Sequence, residues 1–309
     1  MTHEPEGSPQ FGPVWLIADG TSRARIAAQG GAVRSYAVDG KAVIDAYHPD
    51  QVQRGYHGMV LAPWPNRVSD GRWSWNGETH QLPITEPARN AALHGLVNWV
   101  PWQLVERSSS SVRLGVDVLP QLGYPFALRV EVTWICVPDG LRSILAMTNT
   151  GEMPAPAGIS VHPYFTIPGW GVDDLTLQVP AETYIETDEN LTPVARVAVA
   201  GTDYDFTAAR SLDAVQLDTA YTNRSSAGVV LSAPSGEALE VWADKQFGWW
   251  QVHTSDYFPA DTRYFRGAVA IEPMTCGPNA LATGEDLIVL RPGQHWSAEW
   301  GVRTLTRAA

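Results

Sequence analysis

Between positions 111 and 137 apolar and polar residues alternate almost one for one, a pattern that narrows the fold more than any other in this chain. Val112, Leu114, Val116 and Val118 are separated by polar or small residues. Leu128, Val130, Val132, Trp134 and Cys136 are interleaved with Arg129, Glu131 and Thr133. Successive strand side chains point to opposite faces, so each run predicts a strand with one face buried and the other wetter. The second run ends at Pro138-Asp139-Gly140 and is followed by LRSILAMTNT, which predicts a hairpin. Alternation returns at Leu175, Leu177 and Val179, and again at Leu239 and Val241 before the aromatic run Phe247, Trp249 and Trp250. No long segment repeats apolar residues at helical spacing, and 27 Gly and 23 Pro are spread throughout. Many strands at short spacing predict an all-β fold, a large antiparallel β-sandwich. No linker, repeat or low-complexity tract divides residues 1–309, so a single domain is expected, with 154–156 read as a loop inside it.

Charge restricts the partners. Lys plus Arg number 21 and Asp plus Glu 33, a net charge of -12. Such a surface repels phosphate backbones and anionic headgroups, so neither nucleic acid nor a membrane is expected as a partner, and a neutral small molecule fits better. No apolar run approaches the ~20 residues that span a bilayer. The first ten residues, MTHEPEGSPQ, are acidic and proline-bearing, unlike a secretory signal. Cys136 and Cys276 are too few for a disulfide framework and lack zinc-ligand spacing. The expectation is a cytoplasmic protein without metal or cofactor, a monomer or homodimer, with Cys276 a small buried residue.

The stretch 58–73, GMVLAPWPNRVSDGRW, sets Asn66 and Arg67 between prolines and a glycine turn, where a rigid loop can present a guanidinium fork to an oxygen-rich ligand such as a sugar. LHG follows at 93–95, then VHPYF at 161–165, Gln251 in WQVHT, and IEP at 271–273. Glu272 ends the apolar run 267–271, a predicted buried strand whose ladder Pro273 is expected to stop. A carboxylate there is either salt-bridged and structural or functional. His162, biased to an extended backbone by Pro163, is either a hydrogen-bonded core residue or a proton carrier near neutrality. His94 reads as a turn histidine or a hydroxyl ligand, and Asp218 as a turn or capping residue or an acceptor for adjacent hydroxyls. Gln251 is an amide among apolar neighbours that needs partners.

In that order these pieces, with the GGAVRSYAVDGKAVI segment near the N-terminus, resemble the aldose 1-epimerase (galactose mutarotase) family over nearly the whole chain. The resemblance implies a galactose mutarotase-like β-sandwich and interconversion of the anomers of a monosaccharide. It implies Glu272 as base, His162 as acid, and Asn66, Arg67, His94, Asp218 and Gln251 as sugar-binding residues. His3, His48, His57, His80, His253 and His295 have no such match, although His253 shares a strand face with Gln251. Of the 13 Trp residues, Trp64, Trp99, Trp102, Trp249 and Trp250 are candidates to line a sugar cleft.

The chain departs from the family pattern at Leu96, where many members have a second Gly, at Val161, where they have Asn, and at EPMTCGPNA after the catalytic Glu. Three functions follow from the same residues. The first is a free-aldohexose 1-epimerase. The second is a hexose-6-phosphate 1-epimerase, which requires a cation cluster for which Arg54, Arg72 and Arg89 are available. The third is a noncatalytic carbohydrate-binding domain.

Overall fold

The computed structural model describes residues 11–47, 52–226 and 228–305. The N-terminal decapeptide, His3 and His48 therefore lie outside the described residues. The fold is the expected antiparallel β-sandwich, built from a 12-stranded and a 9-stranded sheet. In the smaller sheet Leu128–Val137 pairs with Gly140–Asn149 along its whole length, from Leu128 opposite Asn149 to Val137 opposite Gly140, leaving Pro138-Asp139 as the turn. Ser111–Val118 flanks this hairpin on one side and His295–Leu305 on the other. The alternation has the anticipated meaning: Leu128, Val130, Val132, Trp134 and Cys136 are buried, and the residues between them are partly exposed.

The two sheets close over one large buried cluster that includes Ile17, Ile26 and Val33 from the larger sheet and Leu114, Val132, Trp134 and Trp300 from the smaller. Trp134 ties the layers together by donating its indole N–H to the Gly31 carbonyl at 2.9 Å while packing edge-on against Trp300. The apolar area of such rings is the main driving force for the closure. Trp64, Trp102 and Trp250 belong to this core, Trp249 packs in a satellite cluster with Ala220 and Met274, and all four are shut off from solvent. Of the five tryptophans expected near a cleft, only Trp99 is exposed. Sequence cannot separate these fates, because a core ring and a sugar-stacking ring are the same residue.

Two local expectations need correction. Residues 154–156 are not all loop, since Ala155–Ala157 pairs with Ile288–Leu290. Pro273 does not stop its ladder: Val269–Met274 stays paired with Trp249–His253 through Pro273 opposite Trp250. On its other edge the same strand pairs with Tyr164–Phe165 and then, at Met274, with Ser160, leaving no ladder partner among the described residues across from Glu272 and Pro273. Proline's missing N–H falls where that neighbouring strand is interrupted at His162-Pro163, so little is lost. Among the described residues no helix is long and apolar enough to cross a membrane.

Candidate active site

Strand register does most of the assembly. Gln251 sits opposite Glu272, and Asp218 opposite His253, on adjacent strands of the larger sheet. Directly opposed residues share a face, as do residues two apart, so these four side chains and the Tyr164 that faces Ala270 emerge together. Ile271, Val252 and Trp250 point the other way into the sandwich core. The site is therefore built on the outer face of the larger sheet, walled by loops.

Two of the sequence motifs form one wall. Arg67–Ser69 pairs with Ala91–Leu93, which sets Arg67 opposite Leu93 at the base of the LHG turn. His94 and Gly95 both adopt left-handed backbone, φ 64° and 81°, and a Cβ on Gly95 would lie 2.1 Å from the Ala62 carbonyl oxygen. Only glycine permits that approach. Asn66 is also left-handed, φ 56°, a conformation Asn tolerates, and its Oδ1 accepts the Arg67 N–H at 2.8 Å. The Asn66 backbone N–H donates to His94 Nδ1 at 3.1 Å, and the His94 N–H donates to the Asn66 carbonyl at 2.9 Å. His94 is buried, and burial together with the nearby Arg67 charge holds its ring well below the usual histidine pKa. A neutral ring that accepts at Nδ1 carries its proton on Nε2, which makes His94 a hydrogen-bond donor there.

A buried relay crosses the floor. Asn66 Nδ2 donates to Gln251 Oε1 at 3.1 Å, and Gln251 Nε2 donates to Asp218 Oδ1 at 2.6 Å. The Arg67 fork is bidentate with a carboxylate that sequence reading missed: Nε to Glu86 Oε2 at 2.7 Å and Nη2 to Glu86 Oε1 at 3.0 Å. Arg67 Nη1 lies 3.7 Å from Asp218 Oδ2, and Arg89 Nε lies 3.4 Å from Glu86 Oε1.

Behind the relay, His162 Nε2 stands 3.3 Å from Glu272 Oε1. Glu272 is 1% exposed, and burial, reinforced by the Asp218 charge, pushes its carboxyl well above the usual carboxylate range. Burial and the neighbouring His94, His253 and His57 hold His162 well below the usual imidazole value. Tyr164 stacks on the His162 ring at 5.0 Å and 16°, and Tyr56 flanks it at 6.3 Å and 21°. Glu272 Oε2 and His162 Nδ1 are buried with no hydrogen-bond partner among the described residues. A buried polar atom needs a partner, so both atoms are candidates to meet a ligand in the cavity.

These groups line a cavity of about 540 Å³. All seven residues singled out from the sequence meet there: Asn66, Arg67, His94, His162, Asp218, Gln251 and Glu272. His253 joins them, as its strand face suggested, with Nδ1 held by the Leu217 carbonyl at 3.0 Å. Glu86, Tyr56, Tyr164, Tyr257 and Thr85 were not anticipated; the aromatic faces at this cavity belong to tyrosines, not tryptophans. Of the three arginines considered for a phosphate, only Arg89 reaches it, while Arg54 and Arg72 are exposed elsewhere. His57 is buried and stacked on Tyr164 at 3.8 Å, and His295 is exposed. Cys276 is fully buried with its thiol pushed up to about 12, which keeps it unreactive.

The aldose 1-epimerase family model matches residues 13–303. The uncharacterized protein YihR of Escherichia coli (strain K12) is 32% identical over 279 residues, covering 90% of this chain and 89% of its own. The aldose 1-epimerase of the same organism is 30% identical over 195 residues, covering 60% of this chain and 54% of its own. Among solved structures, the galactose 1-epimerase of Lactobacillus acidophilus NCFM superposes with a TM-score of 0.83 at 18% identity, over 98% of this chain and 97% of that one. The GalM/aldose epimerase homologue of C. elegans superposes with a TM-score of 0.84 at 18% identity, over 94% and 98%. The chain belongs to the aldose 1-epimerase family, an isomerase class of enzyme.

Proposed function

We propose that this protein interconverts the α and β anomers of an unphosphorylated aldohexose, with Glu272 and His162 as the proton carriers. The observation that carries the reading is the buried 3.3 Å contact between these two side chains inside a cavity lined by hydroxyl-binding groups. In the forward step Glu272 takes the proton of the C1 hydroxyl while His162 delivers one to the ring oxygen, and the C1–O5 bond opens. Rotation about C1–C2 presents the other face of the aldehyde. On reclosure Glu272 returns its proton to the C1 oxygen and His162 recovers one from the C5 hydroxyl, leaving the enzyme unchanged.

In its reactive form the pair holds one proton, on His162 before opening and on Glu272 while the chain is open. Burial raises the affinity of Glu272 for that proton and lowers that of His162, so both shifts favour protonated Glu272 beside neutral His162 in the empty site, and the reactive arrangement is its tautomer. An exchange running in both directions requires that the proton pass readily between the two carriers, which their contact allows. His94 Nε2–H donates to a sugar hydroxyl, Asp218 accepts from adjacent hydroxyls, and Asn66, Arg67 and Gln251 hold the ring in register. A noncatalytic carbohydrate module has no use for two buried, unsatisfied proton carriers in contact.

The charge inside the cavity supports an uncharged substrate. Arg67 and Arg89 face the carboxylates of Glu86 and Asp218, and the singly protonated catalytic pair adds nothing. Polarimetry or NMR of freshly dissolved α-glucose and α-galactose, beside their 6-phosphates, tests the reading. Accelerated exchange with higher kcat/KM for the neutral sugars is expected; no acceleration at stoichiometric protein would refute it.

A further inference from the structure

We propose that Glu86 sets the charge preference of the cavity, holding the Arg67 and Arg89 guanidinium groups so that the site accepts uncharged sugars and disfavours sugars bearing a phosphate or carboxylate. The inference deepens the neutral-sugar reading above and rests on it for the ligand class alone.

Both guanidinium groups that line the cavity converge on this one carboxylate, at 2.7 and 3.0 Å from Arg67 and 3.4 Å from Arg89. Glu86 is not a loosely swinging side chain. Its backbone exchanges both hydrogen bonds with Ala91, at 3.0 and 3.2 Å, and Pro87 follows it into the short turn Pro87–Arg89. Its side chain is 21% exposed and that of Arg67 12%, so the pair is partly shielded from water and salt. A bidentate fork is the geometry with which arginine recognises phosphate or carboxylate, and here Glu86 already occupies it. An anionic sugar therefore has to displace Glu86 from Arg67 or lie beside both Glu86 and Asp218, and either course is unfavourable. Remove the Glu86 charge, and two guanidinium groups outnumber the single carboxylate of Asp218, with the fork open. The relay from Asn66 to Asp218 does not pass through Glu86, so the sugar-binding floor stays in place.

The test compares wild type, Glu86→Gln and Glu86→Asp, each verified as folded by circular dichroism, with glucose and glucose 6-phosphate as probes. NMR exchange rates give the ratio of kcat/KM for the phosphate over the neutral sugar. Glu86→Gln is expected to raise that ratio on the order of tenfold, the scale of one unit charge acting on a dianion at the protein surface, and added salt should shrink the gain. Glu86→Asp, which keeps the charge, should leave the ratio within about twofold of wild type. Calorimetric binding of inorganic phosphate supplies a readout independent of turnover and should tighten about tenfold in Glu86→Gln only. A folded Glu86→Gln that loses rate equally on both sugars and binds phosphate no better would reduce Glu86 to a brace for Arg67 and overturn the inference. If wild type turns over neither sugar, the proposed activity fails, while the phosphate titration still decides the role of Glu86.

Discussion

Replacing Gln251 by Met keeps an unbranched side chain of similar length but cuts the relay at its centre. Two hydrogen bonds go, the 3.1 Å bond from Asn66 Nδ2 and the 2.6 Å bond to Asp218 Oδ1. Their ends fare differently. The Asp218 side chain is 32% exposed, so water can replace the lost donor. Asn66 is 4% exposed, so its amide is left unsatisfied at about 1–3 kcal/mol. Met recovers a little by burying apolar surface where an amide was, and the net cost is about 2 kcal/mol. With an unfolding entropy of roughly 2.1 cal/mol/K per residue, a chain of 309 residues has about 0.65 kcal/mol/K, which converts the loss to a fall in Tm of about 3 °C. The sharper test is a double-mutant cycle with Asn66→Gly, which removes the amide without straining the left-handed backbone. Once Asn66 has no side chain, Gln251→Met orphans nothing buried, and its cost should drop by about 1–2 kcal/mol. Denaturant melts followed by tryptophan fluorescence measure the coupling. Additivity within about 0.5 kcal/mol would show that the relay is a geometric coincidence and refute the reasoning.

Glu272→Gln should cost on the order of 10² to 10⁴ in turnover while sugar binding persists; near-normal turnover would remove Glu272 from the mechanism. The same variant carries a pH signature. Because burial raises the folded pKa of Glu272 above its unfolded value, wild type holds that stability in full below about 4.5 and loses it as pH rises through the folded value. The Gln variant does not titrate, so its Tm advantage over wild type should widen between pH 5 and pH 9, and a constant gap would contradict the assignment. His162→Asn should lose turnover on the same 10² to 10⁴ scale, and because burial lowers the folded pKa of His162 it should lose less stability than wild type as pH falls below about 6.5. Equal acid sensitivity in the two proteins would argue against a neutral buried ring. Arg67→Lys, which retains charge but cannot form the fork with Glu86, should raise KM; unchanged kinetics would place Arg67 outside the working site. Gly95→Ala forces a Cβ to 2.1 Å from the Ala62 oxygen at φ 81°, so it should destabilise by several kcal/mol or prevent folding, and a near-wild-type melt would contradict the left-handed turn.

Which parts of this molecule could be read from its sequence follows from the range over which each physical signal acts. Alternation acts between neighbours, so the hairpin joining Leu128–Val137 to Gly140–Asn149 is legible residue by residue. Motif residues whose side chains point along one strand are legible too: His253 shares the face of Gln251 because the spacing is two. Glu86 has no such signature. It lies 19 residues beyond Arg67 in a turn without periodicity, and only the pairing of Arg67 with Leu93 folds that turn back over the guanidinium. Pro273 misleads for a related reason, since a proline forbids a ladder only where a partner strand needs its N–H. The partner that breaks there is the segment carrying His162, about 110 residues earlier. That break also shapes the site. Were the strand at 160–165 continuous, backbone pairing would close the edge beside Glu272; interrupted, it lets the His162 imidazole in the gap approach the strand-borne carboxylate to 3.3 Å. The two prolines, Pro163 and Pro273, thus mark the defect in the sheet at which the imidazole and the carboxylate meet.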